Sequence, residues 1–234
     1  MTNTDQPTPV ILLTATVVEM EPLAKQMHLV QKSPLSWEGD VAGLPVIAQV
    51  TGMGPDRAAQ AVREAAQLFP QCRIVFAGYA GGLSPSLELG EVICPATVIN
   101  ESGQTVMVDG QMAYTLVSVD RIISTPMQKS QLESDTHAVA VDMESFAAAS
   151  AALEVNVPLT VIRSISDQAH QSLPKWSAGC ITEDGQTSIA GAIKVLLCGP
   201  WRLPTLLMMG KRAKIANQSL AYFVEGKIGQ WAMN

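Results

Sequence analysis

Two periodicities alternate along this chain. Residues 10–18, V-I-L-L-T-A-T-V-V, form a continuous apolar run of the length of a buried strand, and 44–50 and 73–77 are two more. Between them, 55–69 carries apolar residues at helical spacing (Ala58, Ala61, Val62, Ala65, Leu68), and 19–27 reads as a short helix that tolerates Pro22 in its first turn. Glycine clusters punctuate the strand ends, Thr51-Gly52-Met53-Gly54 after one and Gly78-Tyr79-Ala80-Gly81-Gly82 after another. Further strands are expected over 91–99 and 105–119, a helix over 126–133, and a strand–helix–strand unit across 138–165. Late helices are expected over 182–197 and 205–224. Strands alternating with helices across short Gly/Pro turns predict an α/β protein: a single three-layer domain with a central mixed, mainly parallel sheet flanked by helices.

Composition narrows the class. At 234 residues, 47% apolar and only 15% charged, the chain has the material for one domain with a sizeable core and is not a disordered polypeptide. A net charge of −6 argues against a general nucleic-acid binder, which needs a basic footprint. The charge is uneven: residues 200–234 carry a net +4 and the remainder −10. We therefore divide the chain into a main domain, 1–199, and a basic helical extension of the same domain, 200–234. The four cysteines lack zinc or redox spacing, and the three histidines lack ligand spacing, so no metal or other cofactor is expected. Neither a signal peptide nor a membrane-length apolar run is apparent, and the cytoplasm is the default location.

Candidate chemistry concentrates between Val141 and Asp167. One strand ends in Asp142 and Glu144, a small-residue helix follows, and a second strand ends in Ser166-Asp167. Parallel strands joined by a helix bring their carboxyl ends to one sheet edge, where α/β proteins place their ligands. Glu144 and Asp167 should therefore face one pocket. Each acid also has a plainer reading: Asp167 as a helix cap after a strand, Asp142 and Glu144 as acids in a first helical turn, and Glu19 likewise beside Glu21. Arg163, a charge within a buried strand pattern, should be paired with a carboxylate, Asp167 or Glu144.

Three motifs occur in an order that resembles the nucleoside phosphorylase/nucleosidase superfamily over residues 10–192. Gly78-Tyr-Ala-Gly-Gly-Leu83 resembles its glycine loop, Val141-Asp-Met-Glu144 its ribose-binding motif, and Arg163-Ser-Ile-Ser-Asp167 its catalytic motif. The resemblance is closest to the branch of methylthioadenosine/S-adenosylhomocysteine nucleosidase and futalosine hydrolase. In wording, V-D-M-E-S with the basic tail is similar to the hopanoid-associated phosphorylase-like group.

That resemblance implies cleavage of a purine (adenine) nucleoside at its N-glycosidic bond. It implies Asp167 as the general acid at purine N7, oriented by Ser166, and Glu19 as the group that activates water. Glu144 would hold the ribose hydroxyls and Met143 would pack on the sugar, with Tyr79, Ala80 and Gly81 lining the substrate site. It also implies a homodimer and a substituted 5′ position, with an adenosylhopane-like lipid as one candidate substrate. Two departures bear on the nucleophile. The bacterial purine phosphorylases hold phosphate with an Arg before the glycine loop and a Ser within it; Phe76 and Tyr79 stand there in this chain. Water is therefore the expected nucleophile over phosphate. Tyr79 is also bulkier than the nucleosidases' residue, and its phenol would either stack on the base or obstruct it. The basic C-terminal helix is expected to cover the sheet or a dimer surface, or to rest weakly on an anionic membrane surface. A phosphate-dependent phosphorylase and a non-catalytic nucleoside-binding protein are the alternatives.

Overall fold

A computed structural model describes residues 7–173 and 203–233. The sheet begins with β1 (Val10–Thr14), fully buried, which feeds α1 (Val17–Gln26). Thr16 caps that helix in a reciprocal capping box with Glu19, so the turn from strand into helix is fixed by two side chains. A hairpin of β2 (Val30–Ser33) and β3 (Ser36–Val41) then leads into β4 (Leu44–Val50) and α2 (Pro55–Leu68). β5 (Arg73–Gly82) is the central strand. β6 (Val92–Ile93), β7 (Pro95–Asn100), β8 (Thr105–Met107) and β9 (Met112–Ser118) precede α3 (Pro126–Thr136). Finally β10 (Ala140–Asp142), α4 (Ser145–Glu154) and β11 (Leu159–Asp167) supply the strand, helix and strand expected over 138–165, and α5 (Leu203–Ala232) follows. The two strands are not the parallel pair the sequence suggested, because β10 runs antiparallel to β5 and β11 parallel to it. The helix expected over 182–197 lies outside the described residues.

The sheet runs β2-β3-β4-β1-β5-β10-β9-β7-β8, with β11 on β5 and β6 on β11. Parallel pairings join β4, β1, β5 and β11, and separately β10, β9 and β7; antiparallel pairings fill the edges and link β10 to β5. One apolar cluster lies under α2 and α4, and a second lies under α1 and α5. A third holds Leu132 of α3 against Val117, Val119 and Val141.

The feature that makes a site is a change of partner along β5. β11 follows one edge of β5 from Ile74 to Gly81. On the other edge β1 pairs with Arg73–Phe76, whereas β10 pairs with Gly81 and Gly82. Between them, residues 77–80 have no strand on that edge among the described residues, and the sheet splits there. The residues read as a glycine turn after 77 are thus the continuation of a strand. Gly78 and Gly81 make room there for side chains of Arg163, Glu19 and Asp167 and do not terminate the element.

Other differences have similar causes. The β2–β3 hairpin leaves little sequence signal because β2 is exposed throughout and β3 buries only Trp37 and Val41. The run expected over 105–119 breaks into β8 and β9, and that over 91–99 into β6 and β7. In α5 the buried positions form a clear stripe, Ala216-Asn217, Leu220-Ala221, Val224 and Lys227-Ile228, against α1 and the sheet. Other apolar residues of the helix, among them Leu207, Met208, Ile215 and Tyr222, are exposed. Among the described residues no helix is long and apolar enough to cross a membrane.

Candidate active site

Four carboxylates, one arginine and one lysine meet around the split in the sheet. Glu19, on the first turn of α1, is buried, and its proton affinity is raised by that burial. Hydrogen bonds from Thr16 and Tyr79 and the charge of Arg163 oppose the rise without cancelling it. Oε2 accepts from Thr16 N (2.9 Å) and Thr16 Oγ1 (2.8 Å), and Oε1 accepts from Tyr79 N at 3.0 Å. The Tyr79 N–H belongs to the stretch of β5 with an unpaired edge, so Glu19 satisfies a donor that a neighbouring strand would otherwise take.

Glu144 sits where β10 gives way to α4 and accepts a 3.1 Å bond from Gly54 N. Gly54 has φ 106°, a conformation that favours glycine, and this turns its N–H toward the carboxylate. Desolvation, followed by the charge of Asp142, pushes the Glu144 pKa up to about 7, against the opposing pull of Arg163.

Arg163 pairs with Asp142, not with Asp167 or Glu144 as the sequence suggested. Its Nε lies 2.8 Å from Asp142 Oδ2, Nη2 donates to Ser145 Oγ at 2.9 Å, and the guanidinium stacks over Phe76. The reason is directional. Asp142 already points at the start of α4, where it accepts from Ser145 N (3.2 Å) and Ser118 Oγ (2.5 Å), and Arg163 reaches the same spot from the adjacent strand. Asp142 thus combines hydrogen bonds at the start of α4 with a buried ion pair.

Asp167 reaches its position through a bulge. The β11–β5 register runs Ile165 to Ala80, then Asp167 to Gly81, leaving Ser166 as the extra residue. A bulge of this kind re-aims the side chain that follows it. Asp167 Oδ1 accepts from Ser166 Oγ at 2.7 Å, and Oδ2 lies 2.5 Å from Lys129 Nζ, which also donates to the Gln168 carbonyl at 2.7 Å. Lys129 and Asp167 are both buried, and sequence reasoning missed the lysine. Its one signal was its place on α3, three residues before the core residue Leu132 and so on the same helix face.

Two glycines of β5 exist to admit these groups. A Cβ on Gly78 would lie 2.7 Å from Arg163 Nη1 and 2.8 Å from Glu19 Oε1; one on Gly81 would lie 3.3 Å from Asp167 Oδ2. Ala80 is buried in the core, and its carbonyl faces Ser166 Oγ at 3.4 Å. Met143 is half-buried next to Glu144. The Tyr79 phenol is turned toward α5, where its hydroxyl donates to Asn217 Oδ1 at 2.6 Å; Asn217 Nδ2 in turn donates to the Val18 carbonyl. Burial raises the phenol pKa further above its ordinary value. His170 is exposed and has no place in this arrangement.

A split α/β sheet with buried carboxylates at the split defines a class of protein, and sequence comparison agrees with it. The chain belongs to the phosphorylase superfamily, whose family model matches residues 9–115 and 112–188. A curated relative, the 5′-methylthioadenosine/S-adenosylhomocysteine nucleosidase of Maridesulfovibrio salexigens, is 23% identical over 193 residues, 68% of this chain and 82% of that protein. The fold is that of the Neisseria meningitidis 5′-methylthioadenosine/S-adenosylhomocysteine nucleosidase (TM-score 0.70, 20% identity, 95% of this chain and 99% of that one). The Helicobacter pylori futalosine hydrolase is similar over 70% of this chain and 90% of its own (TM-score 0.62, 18% identity).

Proposed function

We propose that this protein cleaves the N-glycosidic bond of a purine nucleoside, with water as nucleophile, releasing the free base. Breaking that bond leaves positive charge on the sugar and negative charge on the base, so a site must stabilise a cation and supply a proton. In this reading Asp167 delivers the proton to the leaving purine, Glu144 accepts hydrogen bonds from the vicinal ribose hydroxyls, and Glu19 holds and deprotonates the attacking water. A carboxylate with raised proton affinity is a better general base than an exposed one, and burial gives Glu19 that property.

The observation that carries the choice of water is the destination of the glycine-segment N–H groups. Gly54 N donates to Glu144 and Tyr79 N to Glu19, so two main-chain donors that could cradle a phosphate serve the protein's own carboxylates. Arg163 is likewise committed to Asp142. The relatives' substrates favour an adenine nucleoside modified at the 5′ position. The hopanoid-like wording of the motifs makes a lipid-bearing adenosine one candidate, and the family resemblance implies a homodimer. Tyr79, tethered to Asn217, lines the site from the α5 side in this reading and does not obstruct the base.

The experiment is base release from a panel of 5′-substituted adenosines, with and without phosphate. Equal rates in both, with free ribose sugar as product, are expected. Strict dependence on phosphate with a sugar 1-phosphate product would establish phosphorolysis instead. No base release from any purine nucleoside would leave a binding protein.

A further inference from the structure

Asp167 is engaged at both oxygens. Ser166 Oγ donates to Oδ1, and the Lys129 ammonium lies against Oδ2 at 2.5 Å. The lysine is wholly buried, and the Gln168 carbonyl takes a second of its N–H groups. Ser166, Lys129 and the main chain of β11 are the polar groups these contacts place around the carboxylate; Gly81 and Val141 meet it from β5 and β10 without a titratable group. A carboxylate gripped by an ammonium and a hydroxyl is an acceptor twice over. An acid that must donate to a leaving base needs a proton, and the nearest one is on Lys129 Nζ.

We propose that Lys129 is the proton reservoir of the site: it holds Asp167 in position and supplies, through it, the proton that the leaving purine takes. The inference rests on the nucleosidase reading above. As the glycosidic bond lengthens, its electron pair passes to the base. The Nζ–H bond breaks as an Oδ2–H bond forms, and a carboxyl proton then moves to N7. The net transfer is one proton from Lys129 to the purine, leaving a neutral amine and an unchanged Asp167 carboxylate. Solvent reprotonates the amine once product has left.

A structural role and a proton-supplying role separate by leaving group. An adenine nucleoside must be protonated at N7 to leave, whereas its N7-methylated counterpart already carries that positive charge and leaves without a proton. The measurement is kcat/KM of wild type, Lys129→Met and Lys129→Arg on both compounds. Lys129→Met should lose about 10²–10⁴-fold on the unmethylated nucleoside, the range for losing general-acid catalysis, and less than about tenfold on the methylated one. Lys129→Arg keeps the charge and the ion pair, but a guanidinium does not release its proton, so it should show the same selective loss. Should Lys129→Met fail to fold, Lys129→Arg decides alone. Equal losses on both compounds, or near-wild-type activity of Lys129→Arg on the unmethylated nucleoside, would overturn the proposal. Wild-type protein that releases base from neither compound would instead refute the nucleosidase reading itself.

Discussion

Glu144 offers the sharpest test of the site's electrostatics, because its carboxylate should weaken the fold that holds it. Its pKa rises from an ordinary 4.5 to about 7, chiefly through desolvation and secondly through the charge of Asp142. A carboxyl whose folded-state pKa is raised binds more protons folded than unfolded between those two values. Its contribution to stability is therefore fully present below pH 4.5 and is lost as pH rises through 7. At about 1.4 kcal/mol per pH unit the full loss is about 3 kcal/mol. Solvent screening of a part-buried group lowers the expectation to about 2 kcal/mol.

Glu144→Gln removes the charge and keeps an oxygen for Gly54 N, so the variant should be more stable than wild type at pH 8 and indistinguishable in this respect at pH 4.5. For a chain of this size the gain corresponds to roughly 4–8 °C in Tm. The assay is thermal or urea unfolding of both proteins across pH 4.5–8, with the difference between them plotted against pH. Comparing pH values cancels any fixed cost of the substitution, including a weaker bond to Gly54. On the proposed reading the same variant should lose turnover, since Glu144 is the group proposed to steady the sugar cation. Wild-type kcat/KM should rise through pH 7 as Glu144 ionises. A stability difference that stayed flat with pH would refute the assignment of a raised pKa to Glu144, and with it this account of the activity limb.

The remaining predictions concern the other carboxylates and the glycine between them. Asp167→Asn should lower turnover about 10²–10⁴-fold. It also strands the buried Lys129 ammonium, so denaturant unfolding should register a loss of about 3 kcal/mol. Glu19→Gln should abolish hydrolysis while leaving adenine binding by calorimetry nearly intact; activity that persisted in phosphate would point to phosphorolysis. Gly78→Ala puts a methyl group 2.7 Å from Arg163 Nη1 and 2.8 Å from Glu19 Oε1, and should cost about 1–3 kcal/mol in stability together with most of the activity.

How far the sequence reached depends on the kind of signal each feature left. β1, β4, α2 and the β10–α4–β11 unit are legible because their apolar residues follow one period without interruption. The way the acids after β10 meet β11 was not legible: β10 runs antiparallel to β5 and β11 parallel to it, so the carboxyl end of β10 turns back along β5 toward Arg163 instead of ending beside Asp167 as a parallel pair would. β5 was cut short because glycine ordinarily punctuates, whereas at Gly78 and Gly81 it admits side chains from Arg163, Glu19 and Asp167 within a continuing strand. The partner of Arg163 could not be read, since choosing among three acids requires knowing which one already faces the start of α4. Lys129 left the faintest trace. A single lysine on a polar helix reads as a solvated charge until the carboxylate it meets, 38 residues away, is placed.

The charges around the split sort into two kinds, and the sorting bears on the nucleophile. Asp142 and Asp167 each have a buried cation, Arg163 and Lys129, within ion-pair distance. Among the described residues, Glu19 and Glu144 have instead hydrogen bonds from N–H and hydroxyl groups, and both are held above the ordinary carboxylate range. Two incompletely compensated carboxylates are costly beside an anion and favourable beside a cation. A sugar approaching an oxocarbenium ion would supply the missing positive charge. Glu144, with a pKa raised to about 7 in the free protein, would then be drawn further toward its ionised form as that charge develops. The interaction is thus stronger in the transition state than in the ground state, which is the condition for accelerating the chemical step. Phosphate would bring further negative charge to the same two carboxylates, while Gly54 N and Tyr79 N, which could offset it, are already engaged. The arrangement therefore favours a neutral nucleophile, and water is the one that Glu19 could activate.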